Sequence, residues 1–161
     1  MKNINIRTEL KPGDIGFVTY MHGKFYSAEY GYGLSFESYV AKGFHEFVAN
    51  HNPEKDAVWV CEHQDTIVGF LLLMDRGSNS AQLRFFILDP GYRGMGLGKK
   101  LLGNFLEQLK QRGYRHAFLW TTNEQTAAAR LYEKAGFILT EEKDSVSFGK
   151  QVVEQRYDLF V

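Results

Sequence analysis

One stretch, Leu83 to Leu102, constrains this chain more than any other. It reads as a strand, a glycine-rich turn and the opening of a helix. Pro90 has no N–H to give a sheet ladder, so the strand must stop near Asp89. Gly94, Gly96 and Gly98 alternate across the turn, which strips side chains from the backbone and lets something large approach its N–H groups. The helix that follows sets Leu97, Leu101, Leu102, Phe105, Leu106 and Leu109 on one face. Its first turn carries unbonded N–H donors and the positive end of the helix dipole. Arg93, Lys99 and Lys100 add positive charge at the same place. Such a site attracts a phosphate or pyrophosphate.

Two familiar phosphate loops do not fit. A Walker A loop needs Ser or Thr after Gly-Lys, and Lys100 stands there. A dinucleotide fingerprint needs G-x-G-x-x-G near the start of its domain, whereas this turn is G-x-G-x-G and lies past mid-chain.

Composition excludes other classes. The charge is balanced, with 19 basic and 19 acidic residues, so nothing draws the chain to nucleic acid or to an acidic lipid surface. A single cysteine, Cys61, rules out an internal disulfide framework and a cysteine zinc cluster; no metal is expected, and a reducing cytoplasm suits the chain. Met1 to Arg7 holds no apolar signal core, and no apolar run reaches the roughly 20 residues of a membrane span. At 161 residues a single domain, 1–161, is expected. The 13 Phe and 9 Tyr either fill a core or line a pocket.

Taken in order, Asn3 to Glu9 alternates as a half-buried strand. Ile15, Val18, Met21, His22 and Phe25 fall at helical spacing after Pro12 or Asp14, and Tyr30 to Gly33 ends that helix. Ser35 is expected to cap a second helix with Phe36, Tyr39, Val40, Phe44, Phe47 and Val48 as its apolar stripe. Ala57 to Glu62 and Ile67 to Met74 read as strands about a tight turn at Gln64-Asp65. After the central strand and its helix come a buried strand, Ala117 to Thr121, and a helix opened by a capping box on Thr122 or on Thr121. Phe137 to Thr140 and Val152 to Phe160 close the chain as two strands. The order β-α-α-β-β-β-α-β-α-β-β predicts an α/β fold: one mixed, mostly antiparallel sheet with helices on both faces.

Arg93-Gly94-Met95-Gly96-Leu97-Gly98 resembles the R/Q-x-x-G-x-G/A signature of the GNAT acetyltransferase superfamily, and Leu131-Tyr132-Glu133-Lys134-Ala135-Gly136-Phe137 resembles its LYEKxGF segment. The element order agrees with that family across nearly the whole chain. The resemblance implies acetyl-CoA as cosubstrate, held by Ile87, Leu88, Arg93, Gly94, Met95, Gly96, Gly98 and Lys99. It implies Tyr132 as the acid that protonates the departing thiolate, and the Leu88 N–H as the donor to the developing oxyanion. A thiol of pKa about 8.5 and a phenol of about 10 are close enough for that transfer. The family often places an Asn where Gln125 stands here; Asn123 or Gln125 is left to hold the pantetheine arm, with a helix cap the other role for Asn123.

An amine nucleophile must lose a proton, and His22, Glu29, Glu37 and Glu124 are the candidate acceptors. The two early helices usually form the acceptor side in this superfamily, which singles out His22 and Glu29 with Tyr26 beside them. Arg84 has the strand parity of Phe86 and Leu88, and a charge on a covered strand needs either an internal acid or a carboxylate on the acceptor. Cys61 falls in a buried strand and reads as a core residue rather than a nucleophile. Gly13 to Gly16, His22 to Gly31 and Ser147-Phe148-Gly149 resemble the acetyltransferase half of bacterial proteins that fuse a MarR-type winged helix to a GNAT domain, here without the winged helix. The expected activity is transfer of an acetyl group to a primary amine of a small molecule, by direct attack through a tetrahedral intermediate. The alternative is a non-catalytic acyl-CoA sensor. Monomer and homodimer both remain open.

Overall fold

The structure, a computed structural model, describes residues 3–161. Met1 and Lys2, which begin the stretch expected to hold no signal core, lie outside the described residues. The elements follow the predicted order. They are β1 (Asn5–Arg7), α1 (Asp14–Tyr30), α2 (Leu34–Ala49), β2 (Ala57–His63), β3 (Thr66–Asp75), β4 (Ser80–Leu88), α3 (Leu97–Gln111), β5 (His116–Thr122), α4 (Thr126–Lys134), β6 (Ile138–Ser145) and β7 (Val152–Phe160), with a 3₁₀ turn at Pro90–Tyr92 after β4.

The strands form one seven-stranded sheet in the order β1-β2-β3-β4-β5-β7-β6. All neighbours are antiparallel except β4 and β5. One face packs α3 and α4 through Leu71, Leu73, Leu101, Phe105, Leu109 and Leu119. The other packs α1 and α2 through Val18, Phe44, Phe47, Phe70 and Leu72. The continuous apolar run of β3 is therefore buried on both sides, with Phe70 to Leu73 wholly inaccessible. Each such Leu or Phe contributes about 1.5–3 kcal/mol by leaving water. Gln64 and Asp65 both take positive φ, 51° and 61°, as a two-residue hairpin turn requires.

Several local expectations fail for tertiary reasons. Gly33, not Ser35, is the N-cap of α2. Tyr39 and Val48 of its expected stripe are 45% and 54% exposed, because the sheet covers a narrower face. Neither capping box forms at α4, whose N-cap is Gln125 without a side-chain bond; the Thr122 hydroxyl pairs instead with Tyr32 Oη at 2.7 Å. β6 runs on to Ser145 because β7 pairs with it that far, although seven of its eight residues are exposed and carry no apolar pattern.

Candidate active site

The site begins with a defect in β4. Phe70 and Leu72 of β3 face Ile87 and Arg84, so β4 carries one residue too many between them. Phe85 takes up the bulge at φ 57°, held there by stacking on Phe44 at 4.1 Å. The bulge reverses the strand's side parity. Ala81 and Leu83 share the α3/α4 face with Phe86 and Leu88, whereas Phe85 and Ile87 pack on the α1/α2 face. The expectation that Arg84 sides with Phe86 and Leu88 is thereby corrected: it lies among Phe85, Tyr39 and Gly43 on the other face.

β4 and β5 part just before the bulge and stay apart beyond it. Their ladder covers only Ser80–Gln82 against His116–Phe118. The Asp89 N–H donates to the Val68 carbonyl at 2.8 Å, which fixes the alternation of the β3–β4 ladder. Leu88 opposite Gly69 is then a non-hydrogen-bonded pair, and its N–H and C=O point away from β3 into the opening. Ile87 spends its own peptide groups on Phe70, so Leu88 and not Ile87 offers a free donor there.

At the mouth of the opening lies the glycine turn. Gly94 and Gly96 adopt φ 76° and 86°, and a Cβ at either would meet nothing within 4 Å, so the turn is both left-handed and open to solvent. Gly96 is the N-cap of α3, and the Lys100 N–H is the first recorded to bond back, to Gly96 O at 3.0 Å. The amides before it, through Gly98 and Lys99, face outward. Met95 and Lys99 are exposed beside them. Arg93 turns elsewhere: it makes a bidentate ion pair with Glu29 of α1 at 3.0 and 2.7 Å and also donates to the Leu88 carbonyl. Glu29 is thus tied to the turn rather than to the cavity.

A cavity of about 90 Å³ passes through the gap, from Tyr132, Phe86 and Thr121 to His22, Tyr26 and Arg84. Tyr132 is buried on α4, packed edge-on to Phe137, and its hydroxyl has no hydrogen-bond partner among the described residues. Burial pushes that phenol well above its ordinary pKa, so it stays protonated. Tyr26, stacked on Phe36 at 4.9 Å, donates to Gln125 Oε1 at 3.3 Å. Gln125 in turn donates to the Thr122 hydroxyl, which takes this residue and not Asn123 to the cavity wall. Asn123 is exposed and its Oδ1 accepts from the Val153 N–H at 3.0 Å, extending the β5–β7 edge.

His22 is 3% exposed, with Nδ1 2.8 Å from the Val18 carbonyl. That bond makes Nδ1 the protonated nitrogen and leaves the Nε2 lone pair unused. Burial outweighs the Val18 bond and lowers its pKa to about 4. Of the other candidate bases, Glu124 is paired with Lys150 at 2.8 Å, and Glu37 lies against Gly23 rather than on the cavity wall. Cys61 is a core residue, its thiol pushed by burial up to about 12. Among the described residues no group of three or more His, Cys, Asp or Glu is placed to hold a metal, and no helix is long and apolar enough to cross a membrane. Gln82, Trp120 and Glu154 also line the cavity. The sequence holds no local signal for them, since only the non-local β5–β7 register brings Glu154 opposite Thr122.

The sequence profile of the Acetyltransferase (GNAT) family matches residues 21–137, from α1 through the segment that carries Tyr132. The chain belongs to the GNAT acetyltransferase family. An uncharacterized N-acetyltransferase of Methanocaldococcus jannaschii is 30% identical over 108 residues, 63% of this chain and 46% of that protein. The chain spans about half the length or less of the curated relatives it matches first. Among solved structures, a GNAT acetyltransferase of Staphylococcus aureus Mu50 aligns with a TM-score of 0.77 at 20% identity, over 98% of this chain and 99% of the other. An acetyltransferase of Salmonella typhimurium, solved with acetyl-CoA, aligns with a TM-score of 0.72 at 18% identity, over 99% and 94%. The glycine turn and the parted strands described above are thus set in the fold that these two proteins share.

Proposed function

We propose that this chain transfers an acetyl group from acetyl-CoA to a primary amine of a small molecule. One observation carries the proposal: the parting of β4 and β5 leaves a cavity with Tyr132 in its wall, and the strand that borders it ends in the free Leu88 N–H and runs on into the open glycine turn. The cradle suits the cosubstrate. Gly94, Met95, Gly96, Gly98 and Lys99 present bare amides and a helix N-terminus to a pyrophosphate, and the gap admits an extended arm between the strands. When bound, acetyl-CoA supplies an activated acyl group.

The chain's own residues then have distinct tasks. Leu88 donates its N–H to the oxygen that gains charge, and a fixed donor in a water-poor gap is worth more than one in solvent. Arg93 holds the Leu88 carbonyl, and so the orientation of the strand end, through its pair with Glu29. Tyr132 delivers its proton to the departing sulfur; the burial that raises the phenol raises the sulfur's proton affinity too. His22 stays neutral at pH 7 and offers Nε2 to the incoming amine. Titration calorimetry with acetyl-CoA, followed by thiol release against a panel of amines, tests the assignment. Binding with amine-dependent thiol release supports it. Binding without release from any amine favours a sensor, and no binding removes both.

A further inference from the structure

Two charges of opposite sign line the cavity, and neither forms an ion pair among the described residues. Arg84 is one. Its guanidinium lies 4.6 Å over the Phe85 ring and 5.7 Å from the Tyr39 ring, and its recorded hydrogen bond is a long one of 3.4 Å to Tyr39 Oη. No carboxylate among the described residues forms an ion pair with it: Glu46 is near enough to feel its charge but pairs with Arg76. Arg7, Arg76, Arg93 and Arg156, by contrast, each have an acid. Five N–H donors with one poor acceptor leave the fork of the guanidinium open. The seat itself is built: a Cβ on Gly43 of α2 would stand 2.8 Å from Arg84 Nη2 and 2.7 Å from the Phe85 ring, so α2 leaves the space that this side chain fills.

Glu154 is the other. It stands on β7 opposite Thr122 and lines the same cavity, and its carboxylate has neither an ion pair nor a hydrogen bond among the described residues. Lys143 faces it on β6, yet lays its ammonium over the Trp120 ring at 4.6 Å. Glu124, by contrast, has Lys150. The wall that they share also carries the aromatic rings of Tyr39, Trp120 and Phe148. A partly covered charge without a counter-charge is costly, and a ligand of matching polarity relieves it.

We propose that the acceptor carries a carboxylate, which Arg84 binds through its open fork, and a cationic nitrogen, which Glu154 binds, so that small diamino acids are preferred over plain amines. This rests on the transfer reaction proposed above and names its substrate class. Three probes of one chain length separate the contributions: L-lysine, cadaverine without the carboxylate, and L-norleucine without the second nitrogen. The kcat/KM of the native chain is expected to be about ten- to a hundredfold higher for lysine than for either truncated probe, the scale of one charge-assisted contact. Arg84→Met should erase the preference for lysine over cadaverine, Arg84→Lys should restore part of it, and Glu154→Gln should erase the preference for lysine over norleucine. Thermal melts establish that each variant is folded. Lysine binding to the protein–CoA complex, read by calorimetry, separates the two proposals. Charge-dependent binding without turnover upholds the recognition and sinks the transfer. Equal turnover of all three probes overturns the recognition and leaves the transfer standing. Absence of both binding and turnover with lysine, or an Arg84→Met variant that keeps its discrimination, also overturns the recognition.

Discussion

At the scale of single residues the site depends on two kinds of feature, and only one is visible in sequence. Tyr132 and the glycine turn are local: a run of neighbouring residues specifies each, so their positions could be read directly. Tyr132→Phe removes one hydroxyl and leaves the ring packed on Phe137. The expected outcome is a fall in kcat of about a hundredfold, the lower end for a positioned acid, with the Kd for CoA unchanged. An equal loss of affinity in calorimetry would make Tyr132 a binding residue instead. Gly96→Val acts differently. The added Cβ meets no atom within 4 Å, but φ of 86° is strained for a branched residue. A loss of about 1–3 kcal/mol in stability is expected, with CoA affinity reduced at least tenfold because side-chain bulk now covers the amides; denaturant melts and calorimetry check the two parts separately. Arg84 and Glu154 belong to the second kind. A one-residue bulge sets the side of the sheet on which Arg84 lies, and the strand register of β7 sets what Glu154 faces. Neither is a property of a short window of sequence.

At the scale of elements, the bulge in β4 decides the most. Helix and strand order was legible because apolar period and turn residues repeat locally, and the long α3 stripe needed no tertiary help. The bulge was not, because nothing in Leu83 to Leu88 marks Phe85 as left-handed. Its φ is enforced from outside by Phe44 and by the gap at Gly43. Two opposed effects meet in Phe85→Gly. Relief of a left-handed side chain returns about 1 kcal/mol. Loss of a ring 8% exposed forfeits about 3–5 kcal/mol. The ring should win, giving a net loss of about 2–4 kcal/mol in urea unfolding. A neutral or stabilised variant would mean that strain, not packing, dominates at the bulge. The misread start of α4 has the same origin as the misread parity. Thr122 is a good cap by residue type, yet the Tyr32 hydroxyl claims it from a distant element.

The whole molecule is two sheet halves, β1–β4 and β5–β7, joined in the sheet by a short parallel ladder and held together by the α3/α4 core. A clasp closes the ladder end: Ser80 Oγ bonds His116 Nδ1, and His116 Nε2 meets Asp158 at 2.6 Å. The open end holds the cavity with His22 in its wall. Acid should therefore attack the two ends in separate windows. Burial lowers the His22 pKa from 6.5 to about 4 in the folded chain. Between those values the unfolded chain binds a proton that the folded chain refuses, so stability falls as pH falls across that range, by about 3 kcal/mol in all. At Asp158, burial favours the neutral form, but hydrogen bonds from Arg156, Thr140 and His116 outweigh it and bring the carboxyl from 3.8 to about 2. Its contribution is present above 3.8 and is lost as pH falls toward 2. Urea midpoints from pH 7 to pH 2 resolve the two. His22→Leu, which cannot titrate, should abolish the decline between pH 6.5 and 4 and leave the one below it intact. If the native protein and His22→Leu decline in parallel over the upper window, the proton is taken up elsewhere, and His22 is not held neutral by its burial beside the acceptor cavity.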